Sequence, residues 1–165
     1  MSFLAWWSTK VRQFRAHVRA RVAGAERREL AAWLTPPQLA LFDSMPPADQ
    51  RHGLDVVATL RAGGAADDEL LLAGLLHDVG KGSSVGVLAR IAWSLGERYG
   101  AWIWRAAAVL PGMSGQLERL RGHAERSAEL AERAGCSRQT VELIRHQSAP
   151  EDAVGRQLLL ADEAN

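Results

Sequence analysis

Cysteine is nearly absent: Cys136 is the only one among 165 residues. No internal disulfide can form, and no set of thiolates is available to hold a structural zinc or an iron–sulfur centre. A reducing compartment fits this composition, and a cytoplasmic location is expected. Long apolar runs are missing too, none reaching the roughly 20 residues that cross a bilayer. The N-terminus places Phe3, Leu4, Trp6 and Trp7 ahead of its basic residues, the reverse of a secretory leader. There is no excess of charge: 20 Lys/Arg against 19 Asp/Glu leave a net charge of +1, and sequence-specific nucleic-acid binding is not expected. Apolar and polar residues nowhere alternate as a half-buried strand requires, and no internal repeat is present, so the chain reads as all-α.

What is there is enough apolar residue, 47% of the chain, for one domain with a core of its own. The first thirty residues hold seven Lys/Arg against two glutamates, a local excess of +5. Phe3, Leu4, Trp6, Trp7, Val11, Phe14 and Val18 recur near helical spacing there. Residues 1–35 are expected to form a basic, Trp-containing helical segment packed on the core or on a second subunit. Peripheral contact with a lipid surface is the alternative. His17, in this segment, reads as a surface residue.

Residues 36–165 follow as the main domain. Pro36-Pro37 and Pro46-Pro47 each mark a helix start. A helix is expected over 49–61, with Leu54, Val57, Ala58 and Leu60 on its apolar side and Gly63-Gly64 ending it. Asp67-Asp68 cap the next helix, almost wholly apolar over 69–77 and therefore central, which Gly80 and Gly82 terminate. Residues 84–112, with Trp93, Trp102 and Trp104, form an elaboration of two helices broken near Tyr99-Gly100. Its tryptophans can serve as core, as a dimer contact or as the wall of a substrate pocket, the first two being preferred. Pro111-Gly112 turns the chain into a helix over 123–135; Ser137 caps another that reaches His146. A last helix over 151–164 is expected to bury Leu158, Leu159, Leu160 and Ala161.

Four of the five histidines and two aspartates occur in the order His52, His77-Asp78, His123, His146, Asp162. Imidazoles with carboxylates, and no thiolate, suit a divalent transition metal such as Mn, Fe, Ni or Zn. Asp55, one helical turn after His52, is placed either to orient that imidazole or simply to face solvent.

The run Leu75-Leu76-His77-Asp78-Val79-Gly80-Lys81-Gly82, with His52 before it and Asp162 after it, resembles the HD superfamily of metal-dependent phosphohydrolases over about residues 46–165. The resemblance implies a helical bundle whose ligands converge from about five helices. It implies one metal held by His52, His77, Asp78 and Asp162, and a second held by His123 and His146, with Asp78 bridging the two. It also implies that a metal-bound hydroxide attacks a phosphomonoester or phosphodiester, with a nucleotide as the expected substrate. Asp78 and Lys81 are then the catalytic pair, Lys81 neutralising a phosphate oxygen in the transition state. Arg51 and Arg145 are the substitutes for that task if Lys81 is only a helix-terminal charge.

Where the cyclic-di-GMP branch of the superfamily carries His-His-Glu and Gly-Tyr-Pro, this chain reads Arg145-His146-Gln147-Ser148-Ala149-Pro150, so that substrate is not expected. The alternative to an enzyme is a metal-holding module that binds a nucleotide or protein partner without turnover.

Overall fold

The structure is a computed structural model that describes residues 21–165. The tryptophan-rich amphipathic stretch expected near the N-terminus, including His17, lies outside the described residues. Ten α-helices and no strand occur among the described residues. They are α1 (Gly24–Trp33), α2 (Pro36–Asp43), α3 (Pro47–Ala62), α4 (Asp68–Leu76), α5 (Val87–Tyr99), α6 (Trp102–Ala107), α7 (Met113–Arg121), α8 (His123–Arg133), α9 (Arg138–Arg145) and α10 (Ala153–Ala164). The all-α fold expected from the sequence is what forms.

Local chemistry accounts for most boundaries. Pro36 and Pro47 open α2 and α3, where a missing N–H costs nothing. Asp67, Ser137 and Asp152 cap α4, α9 and α10 by accepting backbone N–H groups of Glu69, Thr140 and Gly155 at 3.0, 3.2 and 2.7 Å. Gly100 and Gly112, at φ of 113° and 74°, make the two breaks of the elaboration in backbone regions that other residues rarely adopt.

Helix α4 is the centre. Leu70, Leu71, Ala73, Gly74, Leu75 and Leu76 are all buried, and α3, α9 and α10 pack around it. Together with Leu30, Phe42, Val56, Leu60, Ile144 and Leu158 they form the main core. Three expectations need correction. Ala58 and Leu160 are exposed, Leu160 by 65%. At 100° per residue, Leu160 is turned some 200° from the buried Leu158, so an unbroken leucine run cannot sit on one face. The apolar helix also stops at Leu76, earlier than its glycines suggest, and Val79–Lys81 forms a separate 3-10 turn.

Residues 84–112 join α7 in a second, smaller core of Val85, Ala89, Met113, Leu117 and Leu120. Trp93 and Trp104 stack at 4.8 Å over it, and the Trp104 indole donates to the Trp93 carbonyl at 3.2 Å. Gly96 makes room for that indole. Trp102 stays 64% exposed. Arg90 ties the elaboration to α3 through a two-pronged pair with buried Asp49, both bonds 2.7 Å.

Two glycines set how closely the remaining elements approach. A Cβ on Gly53 would stand 2.5 Å from the Leu75 carbonyl oxygen, and one on Gly80 would stand 2.3 Å from that of His123. These contacts bring α3 against the end of α4, and the 3-10 turn against α8. Gly53→Ala should therefore destabilise the fold by roughly 1–3 kcal/mol, because the clash is with backbone that cannot swing aside. Gly115→Ala, with open space around it on α7, should be neutral or slightly stabilising. Urea unfolding of the two variants measures the contrast.

Candidate metal centre

The close approach of α3 to α4 has a chemical consequence: His52, on α3, meets His77, which ends α4, with ring centroids 5.2 Å apart. Asp162 arrives from α10, and its Oδ1 lies 2.8 Å from His52 Nε2 and 3.5 Å from His77 Nε2. Asp78 follows His77 and directs Oδ1 to within 3.5 Å of His77 Nε2 and 3.6 Å of His123 Nε2. His123 is the first residue of α8, held there because the Gly80 N–H donates to buried Ser127 at 2.8 Å. Residues separated by 110 positions thus meet at one end of the bundle.

The buried ring of His77 and the half-buried ring of His123 are both oriented by backbone. His77 Nδ1 donates to the Gly74 carbonyl at 2.9 Å, and His123 Nδ1 to the Leu120 carbonyl at 2.6 Å. A carbonyl only accepts, so each ring carries its proton on Nδ1 and turns Nε2 toward Asp78, the arrangement by which proteins present histidine to metals. His77 Nε2 is the one buried side-chain nitrogen or oxygen among the described residues that has no hydrogen-bond partner. Leaving such an atom unmet is costly. Two ligands about 2.1 Å from a tetrahedral ion stand roughly 3.4 Å apart, close to the 3.5 Å between His77 Nε2 and Asp162 Oδ1. His52, His77 and Asp162 can hold a metal ion. Asp162 and His52 are half-buried whereas His77 and Asp78 are buried, so the site is closed behind and open in front.

Electrostatics point the same way. Burial opposes ionisation of Asp78, but His77, Lys81, His52 and His123 outweigh it and hold the carboxyl far below its usual range. Asp162 is held down likewise, against burial, by His52 and His77. Burial alone would push His77 down, yet the two carboxylates prevail and push it up to about 9. Burial lowers His123, which Asp78 only partly offsets. Two clustered carboxylates want a cation, and in its absence a proton on His77 meets part of that need.

The other expected site residues are placed as follows. Lys81, expected to face substrate, puts its ammonium on Asp78 Oδ2. His146 caps the end of α9 and turns its ring to Glu142 and Glu151, at 3.6 and 3.9 Å, and is not brought to the carboxylates of the cluster. Position in the order of histidines could not reveal this, because one residue at a helix end turns the side chain by about 100°. Its neighbour Gln147, which sequence reasoning missed, is buried and donates to the His77 carbonyl at 3.0 Å. Asp55 pairs with Arg51 rather than with His52. Arg51 also holds Glu26, and Arg145 holds Glu125 and Glu142, so both are already committed to carboxylates.

A metal must displace the His77 proton, so its uptake should release protons and tighten as pH rises, levelling off near pH 9. The metal-free fold should behave oppositely. With His77 raised from about 6.5 in the unfolded chain, the stabilisation is complete below that pH and is lost as pH climbs through about 9. Metal titrations and thermal melts at pH 6 to 9.5 measure both trends, and His77→Gln should flatten them.

No family model matches the chain, and neither the curated proteins nor the solved structures contain a match to it.

Proposed function

We propose that this chain is a metal-dependent phosphohydrolase of the HD type, acting on a phosphomonoester or phosphodiester, most plainly that of a nucleotide. The observation that carries the proposal is His77 Nε2: buried, turned by the Gly74 carbonyl toward two ionised carboxylates, and without a hydrogen-bond partner. His52, His77 and Asp162 would hold one divalent ion, with Asp78 beside them. A second ion would rest on Asp78 and His123, whose Nε2 faces the same Asp78 oxygen. His146 has no part in this reading.

When bound, such ions supply Lewis acidity, polarising a phosphoryl oxygen and acidifying water near neutral pH. The chain's own groups do the rest. The Nδ1–H bonds of His77 and His123 to backbone fix both rings before any ligand arrives, so no reorganisation is needed later. Asp78, buried and anionic, keeps positive charge at the back of the site. Asp162 and His52 leave the front accessible to a substrate.

Metal analysis of gently purified protein, with a phosphoester panel assayed in added Mn²⁺, Fe²⁺ or Ni²⁺, tests the proposal. Metal and turnover are expected together, and Asp78→Ala should abolish both. His123→Ala should lower metal stoichiometry whereas His146→Ala should not. Metal-loaded protein inactive across the panel would instead mark a binding module.

A further inference from the structure

Several guanidinium groups of the described residues are matched to carboxylates. Arg90 pairs with Asp49, Arg51 with Glu26 and Asp55, Arg121 with Glu118, and Arg145 with Glu125 and Glu142. Arg119 and Arg126 have no carboxylate of the described residues within 4.0 Å, although Glu118 and Glu125 are their chain neighbours, and what sets them apart from other unpaired arginines is the place they share. Both are only half-exposed, and both reach the same short turn. Arg119 Nη1 lies against Gly82, 3.5 Å from where a Cβ there would stand. Arg126 Nη1 lies 3.5 Å from the Gly80 carbonyl oxygen and 3.4 Å from that of Arg119, long contacts that leave most of its donors unused.

Between those glycines stands Lys81, with its ammonium on Asp78. Arg126 is one helical turn beyond His123, whose Nε2 faces that same carboxylate. Three cations therefore gather on one turn at the border of the candidate centre, with Asp78 the one carboxylate paired among them. Like charges do not collect without an anion unless something else holds them. Forked guanidinium donors suit phosphate oxygens, and two forks beside an ammonium suit more phosphate than a single group carries.

We propose that Arg119, Arg126 and Lys81 form a polyphosphate-binding subsite next to the candidate metal centre, so that the substrate is a molecule with two or more linked phosphates, such as a nucleoside di- or triphosphate. As a statement about substrate it rests on the phosphohydrolase reading; as a statement about binding it does not. Gly82, only half-buried, adds no side chain next to Lys81, whereas Gly80 is packed against α8 and fixes the turn there.

The test is calorimetric titration of the full-length, chelator-treated protein at low salt with inorganic tripolyphosphate and, separately, orthophosphate. Chelation avoids competition between protein and polyphosphate for metal. Tripolyphosphate should bind at least tenfold more tightly than orthophosphate, with an affinity that falls as salt rises. Arg119→Gln and Arg126→Gln should each weaken it about tenfold, Arg126→Lys should retain part of the binding, and Arg121→Gln on the same helix end should change nothing. Wild-type affinity in the Arg119→Gln/Arg126→Gln protein, which circular dichroism would show to be folded, overturns the proposal. That result would leave the two arginines as charges on the C-terminal carbonyls of α7 and any binding to the basic N-terminal residues. Absence of any preference for tripolyphosphate in the wild-type protein overturns it equally. Metal content, measured on untreated protein, reports separately on the phosphohydrolase reading: a chain that takes up no metal yet binds tripolyphosphate through these arginines loses the enzyme and keeps the site.

Discussion

Burying the imidazole of His77 with one nitrogen unmet is the constraint around which this bundle is arranged. Helix α4 is apolar on every side, so it can only sit in the middle of other helices, and whatever ends it is buried as well. What ends it is a histidine and an aspartate. A buried carboxylate and a buried imidazole are unfavourable alone and tolerable together, and together with Asp162 and His52 they make a group whose charge is held by its members. The glycines at 53 and 80 then read as consequences. Each removes a side chain where backbone must come near enough for His52 and His123 to reach α4.

Much of the fold was legible because its signals are local. Prolines at helix starts, Asp67, Ser137 and the glycines at turns act within a few residues of themselves, and the elements they bound formed close to where they were expected. Leu160 marks the limit of that reading. Four consecutive apolar residues look like one buried segment until the helical period turns one of them outward. The central position of α4 was legible for the opposite reason, since a helix apolar on all faces leaves no choice.

The site was legible where chemistry is rare and opaque where geometry decides. His52, His77, Asp78, His123 and Asp162 could be singled out because few residue types hold a metal, and an ordered set of them is uncommon. His146 met the same criteria of type and order, yet its ring faces Glu142 and Glu151. The residue that does reach His77 from that helix end is Gln147, a type with no chemical signature in a sequence. Arg119 and Arg126 were invisible for a related reason. Twenty basic residues are spread along the chain, and only the fold brings these two arginines to the turn that carries Lys81.

Lys81 shows how one charge can belong to two systems. Its ammonium lies on Asp78, so it helps satisfy a carboxylate that a metal would also claim. The proton that Asp78 and Asp162 hold on His77, raising it to about 9, answers the same pair of carboxylates from the other side. Proton, ammonium and metal are therefore competitors for one anionic group, and binding of any of them weakens the hold of the others by like-charge repulsion. Helix-end placement makes this competition possible without unfolding. The carboxylate is anchored by the buried end of α4, while Lys81 sits on a three-residue turn between two glycines and needs only side-chain rotation to leave. A lysine so placed can turn from Asp78 to an incoming anion, and the proposed subsite sets Arg119 and Arg126 beside it.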